Sequence, residues 1–301
     1  MVGPAVAALF ADVVLGEPPT ELHPTVWMGR WLAHGRSMRH SRRAPTSFLE
    51  GAGLLLRGVA ITAIAAGALD RVLDCSDTPF NGVLRGVALK PALSLRPLLA
   101  AAADVQEALE RRRLGEARRL LAWHLVSRDT RTLSASEVAG AVIESVAENL
   151  NDSVVAPLLA FRVGGLAAAY AYRMINTADA MLGYRTAELE WFGKAAARMD
   201  DVVGLVPARC TALLIAAAAP GGAASLRRAV SCALADARRT ESPNAGWPMA
   251  AMAGALGVRL TKRGQYALNL AGREPRPNDI ARACRIVGGA ALLAAISVDL
   301  T

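Results

Sequence analysis

The sequence predicts an all-α, polytopic helical membrane protein with about four to six membrane-embedded helices, on three observations. Apolar residues make up 53% of the 301 residues and mean hydropathy is +0.29, whereas soluble domains usually fall below zero. The apolar residues gather in runs approaching the ~20 residues that a spanning helix needs. No alternating strand pattern of useful length interrupts them.

Taken in order, residues 1–15 are apolar except Asp12. No basic region precedes them, and they meet Gly16-Glu17-Pro18-Pro19 without a small-residue cleavage pattern, so they read as a retained helix and not a signal peptide. Residues 51–69 are apolar except Arg57. The run 82–103 is interrupted by Arg85, Lys90, Pro91, Arg96 and Pro97. Charges at bilayer depth cost roughly 2.5–3.5 kcal/mol each, so this run reads as a broken or interfacial helix. Residues 104–126 read as one amphipathic helix on the membrane surface, with Leu109, Leu114, Leu120 and Leu121 as its apolar residues. The run 153–171 holds Arg162 and the close-packing pair Gly164-Gly165, 202–219 holds Pro207 and Arg209, and 286–298 is short but clean. A soluble Ala-rich bundle is the competing reading, because runs below about 18 residues are often core helices. Residues 1–301 read as a single domain.

The net charge of +8 lies between these runs. Arg30, Arg36, Arg39, Arg42 and Arg43 crowd one linking segment, Arg111, Arg112, Arg113, Arg118, Arg119, Arg128 and Arg131 a second, and Arg227, Arg228, Arg238 and Arg239 a third. The positive-inside rule places such loops in the cytoplasm of a multi-pass protein of the cell (inner or plasma) membrane. No basic–aromatic motif accompanies them, which argues against a nucleic-acid partner. The four cysteines have no zinc spacing. No Ser–His–Asp arrangement, P-loop or GxGxxG is present, so any ATP is bound without a Walker-type site.

Five polar elements stand out. Glu144, Glu148 and Asp152 lie four apart on a helix that begins after Ser134 or Ser136, and so stack as a row of carboxylates, with Asn149 among them. Such a row repels itself unless a cation or a proton relieves it, and hard oxygen ligands suit Mg²⁺. Asn176 and Asp179 share a face after Arg173, although such residues near a helix end are often caps. Arg198 precedes the adjacent acids Asp200 and Asp201, of which one is expected to cap and the other to point into a site. Arg209, inside an apolar run, is either functional or snorkelling. The irregular loop from Ser242 through Asn244 to Pro248 suits binding. The N-terminal loop holds Glu17 and His23; a lone histidine is more often structural, although its neutral-range chemistry suits catalysis.

These elements, in this order, resemble the CobD or CbiB family of cobalamin-biosynthesis membrane proteins. The resemblance rests on GEPP…HP..WMG at 16–29, ESVAEN..DS.VAPL at 144–158, YRMINTADAMLGY at 172–184, FG..AAR.DD…PAR at 192–209 and SPNAGWPMAAMAGALGV at 242–258. It departs at Gly204, where an asparagine is expected, and at Met249, where an acid is expected. The resemblance implies ATP-dependent amide formation between aminopropanol, or its phosphate, and a carboxylate of adenosylcobyric acid. The corrinoid is then the substrate, ATP the co-substrate and Mg²⁺ the metal. Its other expected partners are the lipid bilayer and further corrinoid-pathway enzymes at the membrane. On residue type and position, Glu144, Glu148, Asp152 and Asp179 are the catalytic candidates. Glu148, Asp152, Asp200 and Asp201 are the metal candidates. Glu17, His23, Asn149, Arg173, Asn176, Arg198, Arg209, Ser242 and Asn244 are the substrate-binding candidates. A non-catalytic sensor of the AmpE type and a corrinoid transporter are the alternatives; a transporter predicts paired half-helices and an internal repeat, and no repeat is evident.

Overall fold

The computed structural model describes residues 2–39, 43–75, 78 and 80–300, so Arg42 lies outside the described residues. The helices are α1 (Pro4–Leu15), α2 (Pro24–Ser37), α3 (Ala44–Asp74), α4 (Asn81–Leu89), α5 (Arg96–Glu110), α6 (Leu114–His124) and α7 (Ala135–Leu150). A π-helical turn, Asn151–Val155, leads into α8 (Ala156–Leu182). Next come α9 (Lys194–Val203), α10 (Leu205–Ala218), α11 (Gly222–Asp236) and α12 (Gly246–Leu256). A hairpin of β1 (Leu260–Lys262) and β2 (Tyr266–Leu268) precedes α13 (Pro277–Leu300). The hairpin is antiparallel, with Lys262 opposite Tyr266.

Three helical runs are long and apolar enough to cross a membrane: α3, the continuous run Ala135–Leu182, and α13. The pair α9 and α10 makes a fourth if taken as one broken span, which reaches the lower end of the range the sequence predicts. Only 22% of the most apolar stretch of α3 is buried, which leaves an apolar face for lipid. α1, at about 18 Å, is too short to cross alone.

Several boundaries differ from the sequence reading. The amphipathic helix expected over 104–126 is two helices, because Arg112 takes a left-handed conformation (φ 57°) and turns the chain between α5 and α6. The run 82–103 is broken, as expected, between α4 and α5 at Lys90–Leu95. The run 202–219 is interrupted at Gly204, and 286–298 is the centre of a 24-residue helix. The run 153–171 belongs to a longer helix that leaves helical geometry at Gly164 and Gly165.

The chain divides into two compact units. The first comprises Met1–Ser94, Ala156–Gly204 and Ala295–Thr301. Within it α3 packs on α8, α1 on α4, and α9 on both α3 and α8. The Asp299 carboxylate accepts from the N–H groups of Ala5 and Val6 at 2.9 Å each, satisfying donors that the start of α1 leaves open. The break in α8 is stabilised from outside the helix. Gly165 sits at φ 61°, where a side chain is strained. Asp70 accepts the Leu166 N–H at 3.0 Å and is held by Arg85 at 2.9 Å.

The second unit comprises Leu95–Val155 and Leu205–Ala294. Its centre is α7 and α12, both buried on nearly every side, with α5, α6 and β1 packed on α7 and with α10 and α11 packed on α12. A helix apolar all round belongs in a core or a bilayer. A capping box fixes the start of α7: Ser134 Oγ accepts the Glu137 N–H and Glu137 accepts the Ser134 N–H.

Candidate functional site

The predicted residues divide between the units. Glu144, Glu148, Asn149, Asp152, Arg209, Ser242 and Asn244 lie in the second, and Glu17, His23, Arg173, Asn176, Asp179, Arg198, Asp200 and Asp201 in the first.

In the second unit the capping box sets the register of α7 and turns Glu144 into the core, where it is 5% exposed. One oxygen, Oε2, accepts from Arg128 at 3.3 Å. The other, Oε1, is buried and makes no close hydrogen bond among the described residues, although the Tyr266 phenol interacts with the same carboxylate. The hairpin brings the Tyr266 phenol and the Lys262 ammonium beside Glu144. Tyr266 also lies in the field of Glu148. Burial, and then the charges of Glu144 and Glu148, push the Tyr266 hydroxyl far above its ordinary range, so it stays protonated as a donor. Glu144 and Glu148 are therefore brought together around one phenol.

Asp152 falls in the π-helical turn and accepts from Asn151 Nδ2 at 2.7 Å. Asn151 Oδ1 in turn accepts from the buried Thr211 hydroxyl at 3.0 Å. Asn149 donates to Ser145 O at 2.9 Å. Arg209 joins the irregular loop: it donates to Leu205 O at 2.6 Å and to Asn244 Oδ1 at 3.4 Å, and lies 4.7 Å from the Trp247 ring centre. Ser242 shapes the loop, because its hydroxyl accepts the N–H groups of Asn244 and Ala245 at 3.2 Å each.

In the first unit Asn176 Nδ2 donates to Asp200 at 3.4 Å, which joins two motifs that the sequence keeps apart. Asp201 pairs with Arg198 at 3.3 Å. Both acids lie inside α9, so the expectation that one of them caps a helix start is corrected. Asn176 and Asp179 likewise sit within α8 and not at a cap, and Arg173 lies on the same helix.

Glu17 and His23 belong to an ion-pair network around Lys90. Lys90 is 4% exposed and lies 3.0 Å from Glu17 and 3.6 Å from the fully buried Asp12. Ser94 donates to Glu17 at 3.2 Å. His23 Nδ1 accepts the Thr25 N–H at 3.2 Å, capping α2, so its proton sits on Nε2, 2.8 Å from Glu17. Burial raises the Glu17 carboxyl, but hydrogen bonds from Lys90 and His23, together with the Lys90 charge, outweigh it and hold the carboxyl below its usual range.

Sequence reasoning did not select Arg128, Lys262, Tyr266 or Lys90 as site residues. The charge of Lys90 inside an apolar run was its signal; the hairpin strands are too short to have one. Among the described residues, no three His, Cys, Asp or Glu side chains gather to hold a metal by themselves. A pair of carboxylates completed by phosphate oxygens fits Mg²⁺ without a third, and Glu148 with Asp152, or Asp200 with Asp201, has that donor chemistry.

The family profile described as CobD/Cbib protein matches residues 5–287. A probable cobalamin biosynthesis protein CobD of Thermococcus kodakarensis is 41% identical over 284 residues, covering 94% of this chain and 90% of the relative. One of Methanothermobacter thermautotrophicus is 39% identical over 261 residues, 87% and 84% of the two chains. The cobalamin biosynthesis protein CobD of Geobacter metallireducens is 41% identical over 254 residues, 84% and 79%. No solved structure matches.

Proposed function

This chain belongs to the CobD/Cbib family of cobalamin biosynthesis, and on that premise we propose that it is an ATP-dependent acid–amine ligase of the cell membrane. It joins the amine of aminopropanol, or of aminopropanol phosphate, to a carboxylate of adenosylcobyric acid, giving adenosylcobinamide or its phosphate. The carboxylate takes the γ-phosphoryl group of ATP and releases ADP. The amine nitrogen then attacks the acyl carbon, phosphate leaves, and the nitrogen gives up a proton.

The observation that carries this reading is the open, buried oxygen of Glu144. An unpaired buried acceptor costs about 1–3 kcal/mol, and at Glu144 it coincides with a carboxylate that has Arg128, Lys262 and Tyr266 beside it, which supports a working site over simple packing. In this reading Glu144 Oε1 takes the proton that turns the ammonium into the attacking amine, while Arg128 holds the other oxygen. Glu148, Asp152, Asp179, Asp200 and Asp201 are the remaining carboxylates assigned to metal and proton handling. Bound Mg²⁺ would screen the phosphate charges. Arg173, Arg198 and Arg209 are assigned to phosphoryl contacts, and Asn149, Asn176, Ser242 and Asn244 to substrate positioning. We assign these motifs to the cytoplasmic side, where ATP and other corrinoid-pathway enzymes would be met, on the support of the basic loops.

Corrinoid transport is the second reading, favoured by the break at Gly164 and Gly165. The N–H that a transporter would turn toward substrate is instead taken by Asp70. The deciding assay gives purified protein in lipid adenosylcobyric acid, either amine, ATP and Mg²⁺, and follows the corrinoid by mass spectrometry. The ligase reading expects a product heavier by the condensed amine, absent without ATP. Folded protein that binds the corrinoid and makes no product with either amine sinks it.

A further inference from the structure

We propose that the polar cleft between the end of α8 and the start of α9, within the first unit, binds a phosphoryl group through Arg185, Lys194 and Arg198. The cleft has a volume of about 300 Å³ and is also lined by Gly193, Glu190 and Asp201.

Its electrostatics are unfavourable for the protein alone, in three ways. First, α9 begins without a side-chain cap and without an acid in its first turn, so its positive end is uncompensated. Second, the first helical residue is Lys194, a cation where an anion is preferred. Third, Lys194 and Arg198 are four apart on one face, a like-charge pair that destabilises a helix. Arg185 adds a third cation that joins no ion pair among the described residues. The internal relief is slight. Lys194 lies 4.0 Å from the centre of the Trp191 ring, and the Arg198–Asp201 pair, at 3.3 Å, is solvent-screened.

An anion with several charged oxygens relieves all three costs at once, and a phosphoryl group suits both the helix N–H groups and an arginine fork. Gly193 makes the approach possible: a Cβ there would lie 1.7 Å from Leu182 O, so only glycine lets the first turn of α9 sit against the end of α8. The cleft is too small for a corrinoid ring. It suits the end of a nucleotide phosphate chain or a small amino-alcohol phosphate, whose ammonium Glu190 would meet. The choice of these two sources rests on the ligase reading.

The test is calorimetric titration of full-length protein in lipid nanodiscs with ATP, aminopropanol phosphate or inorganic phosphate. Wild type is compared with Arg185→Gln and Lys194→Gln. At least one compound binds wild type, and each substitution weakens that binding by roughly tenfold or more. Weakening confined to ATP assigns the nucleotide, and weakening confined to aminopropanol phosphate assigns the amine. Wild type that binds none of the three, or variants that bind all as wild type does, overturns the proposal. Lys194→Glu guards against a folding artefact. It places an acid at the helix start, so it raises the thermal midpoint of the unliganded protein while abolishing phosphate binding. A Lys194→Glu protein that binds phosphate as wild type does also overturns the site. Amide formation in the same preparations separates the two ideas. Variants that bind normally beside an active wild type sink the cleft alone, and a wild type that makes no amide but loses binding on substitution sinks the ligase alone.

Discussion

Each unit buries charged groups in its helical core, and Lys90 of the first and Glu144 of the second meet different surroundings. Lys90 is 4% exposed, with Asp12 and Glu17 both within ion-pair reach and with Glu17 itself held by His23 and Ser94. Glu144 is 5% exposed, with Arg128 on one oxygen and an open second oxygen. A cation shared by two carboxylates is neutralised by the architecture itself. A carboxylate with one close cationic partner leaves bonding capacity for something that arrives later. Burial is nearly equal at the two positions, so exposure alone does not separate structure from function; the difference is two carboxylates within ion-pair reach of Lys90 against one guanidinium within that of Glu144.

The largest expected effect is at the open position. Glu144→Gln lowers amide formation by about a hundredfold to ten-thousandfold, the range for loss of a general base. It leaves the unfolding midpoint near wild type, because the neutral amide removes a buried charge and Arg128 still reaches solvent. Activity within a few-fold of wild type would show that the open oxygen is a packing accident. The Lys90 position predicts the reverse. Lys90→Met leaves Asp12 buried without its cation and costs about 3–5 kcal/mol of stability, read by denaturant unfolding in detergent. Turnover per folded molecule stays near wild type. Asp12→Asn added to Lys90→Met restores part of the loss, because the two effects are coupled. A Lys90→Met protein as stable as wild type, but inactive, would move Lys90 into the site and erase the contrast.

The same contrast explains what the sequence made legible. Ser134, or Ser136, announces the start of α7, because capping is local, whereas the near-complete burial of that helix was not announced. The acidic residues were legible because a carboxylate beside apolar text is conspicuous. Their partners were not. Arg128 was one of many loop arginines, and Tyr266 lies in a three-residue strand with no measurable alternation. Asn176 and Asp200 meet only through the packing of α9 on α8. The turn that splits 104–126 depends on a left-handed Arg112, a conformation that no residue preference announces. What failed was long-range pairing, together with backbone conformations held by tertiary contacts.

The smallest effect sharpens the comparison inside the Lys90 network itself. Among the carboxyls held low outside the spans are Glu17, by Lys90 and His23 against the opposing effect of burial, and Asp129, by Arg131, to about 2. A carboxyl with a depressed folded value stabilises the protein above its unfolded value, about 4.3 for glutamate, and that stability is lost as pH falls through the folded value. Glu17→Gln is therefore less stable than wild type at neutral pH, and the gap closes in the acid range below the ordinary glutamate value. High salt leaves the gap largely intact, because Lys90 is buried and poorly screened. Asp129 and Arg131 are fully exposed, so their pair is screened, and Asp129→Asn leaves unfolding unchanged at any salt concentration. Thermal unfolding of both variants across pH and salt tests this. A Glu17 gap that salt erases would mean that the Lys90 network is open to water, and that the two buried charges do not meet different surroundings after all.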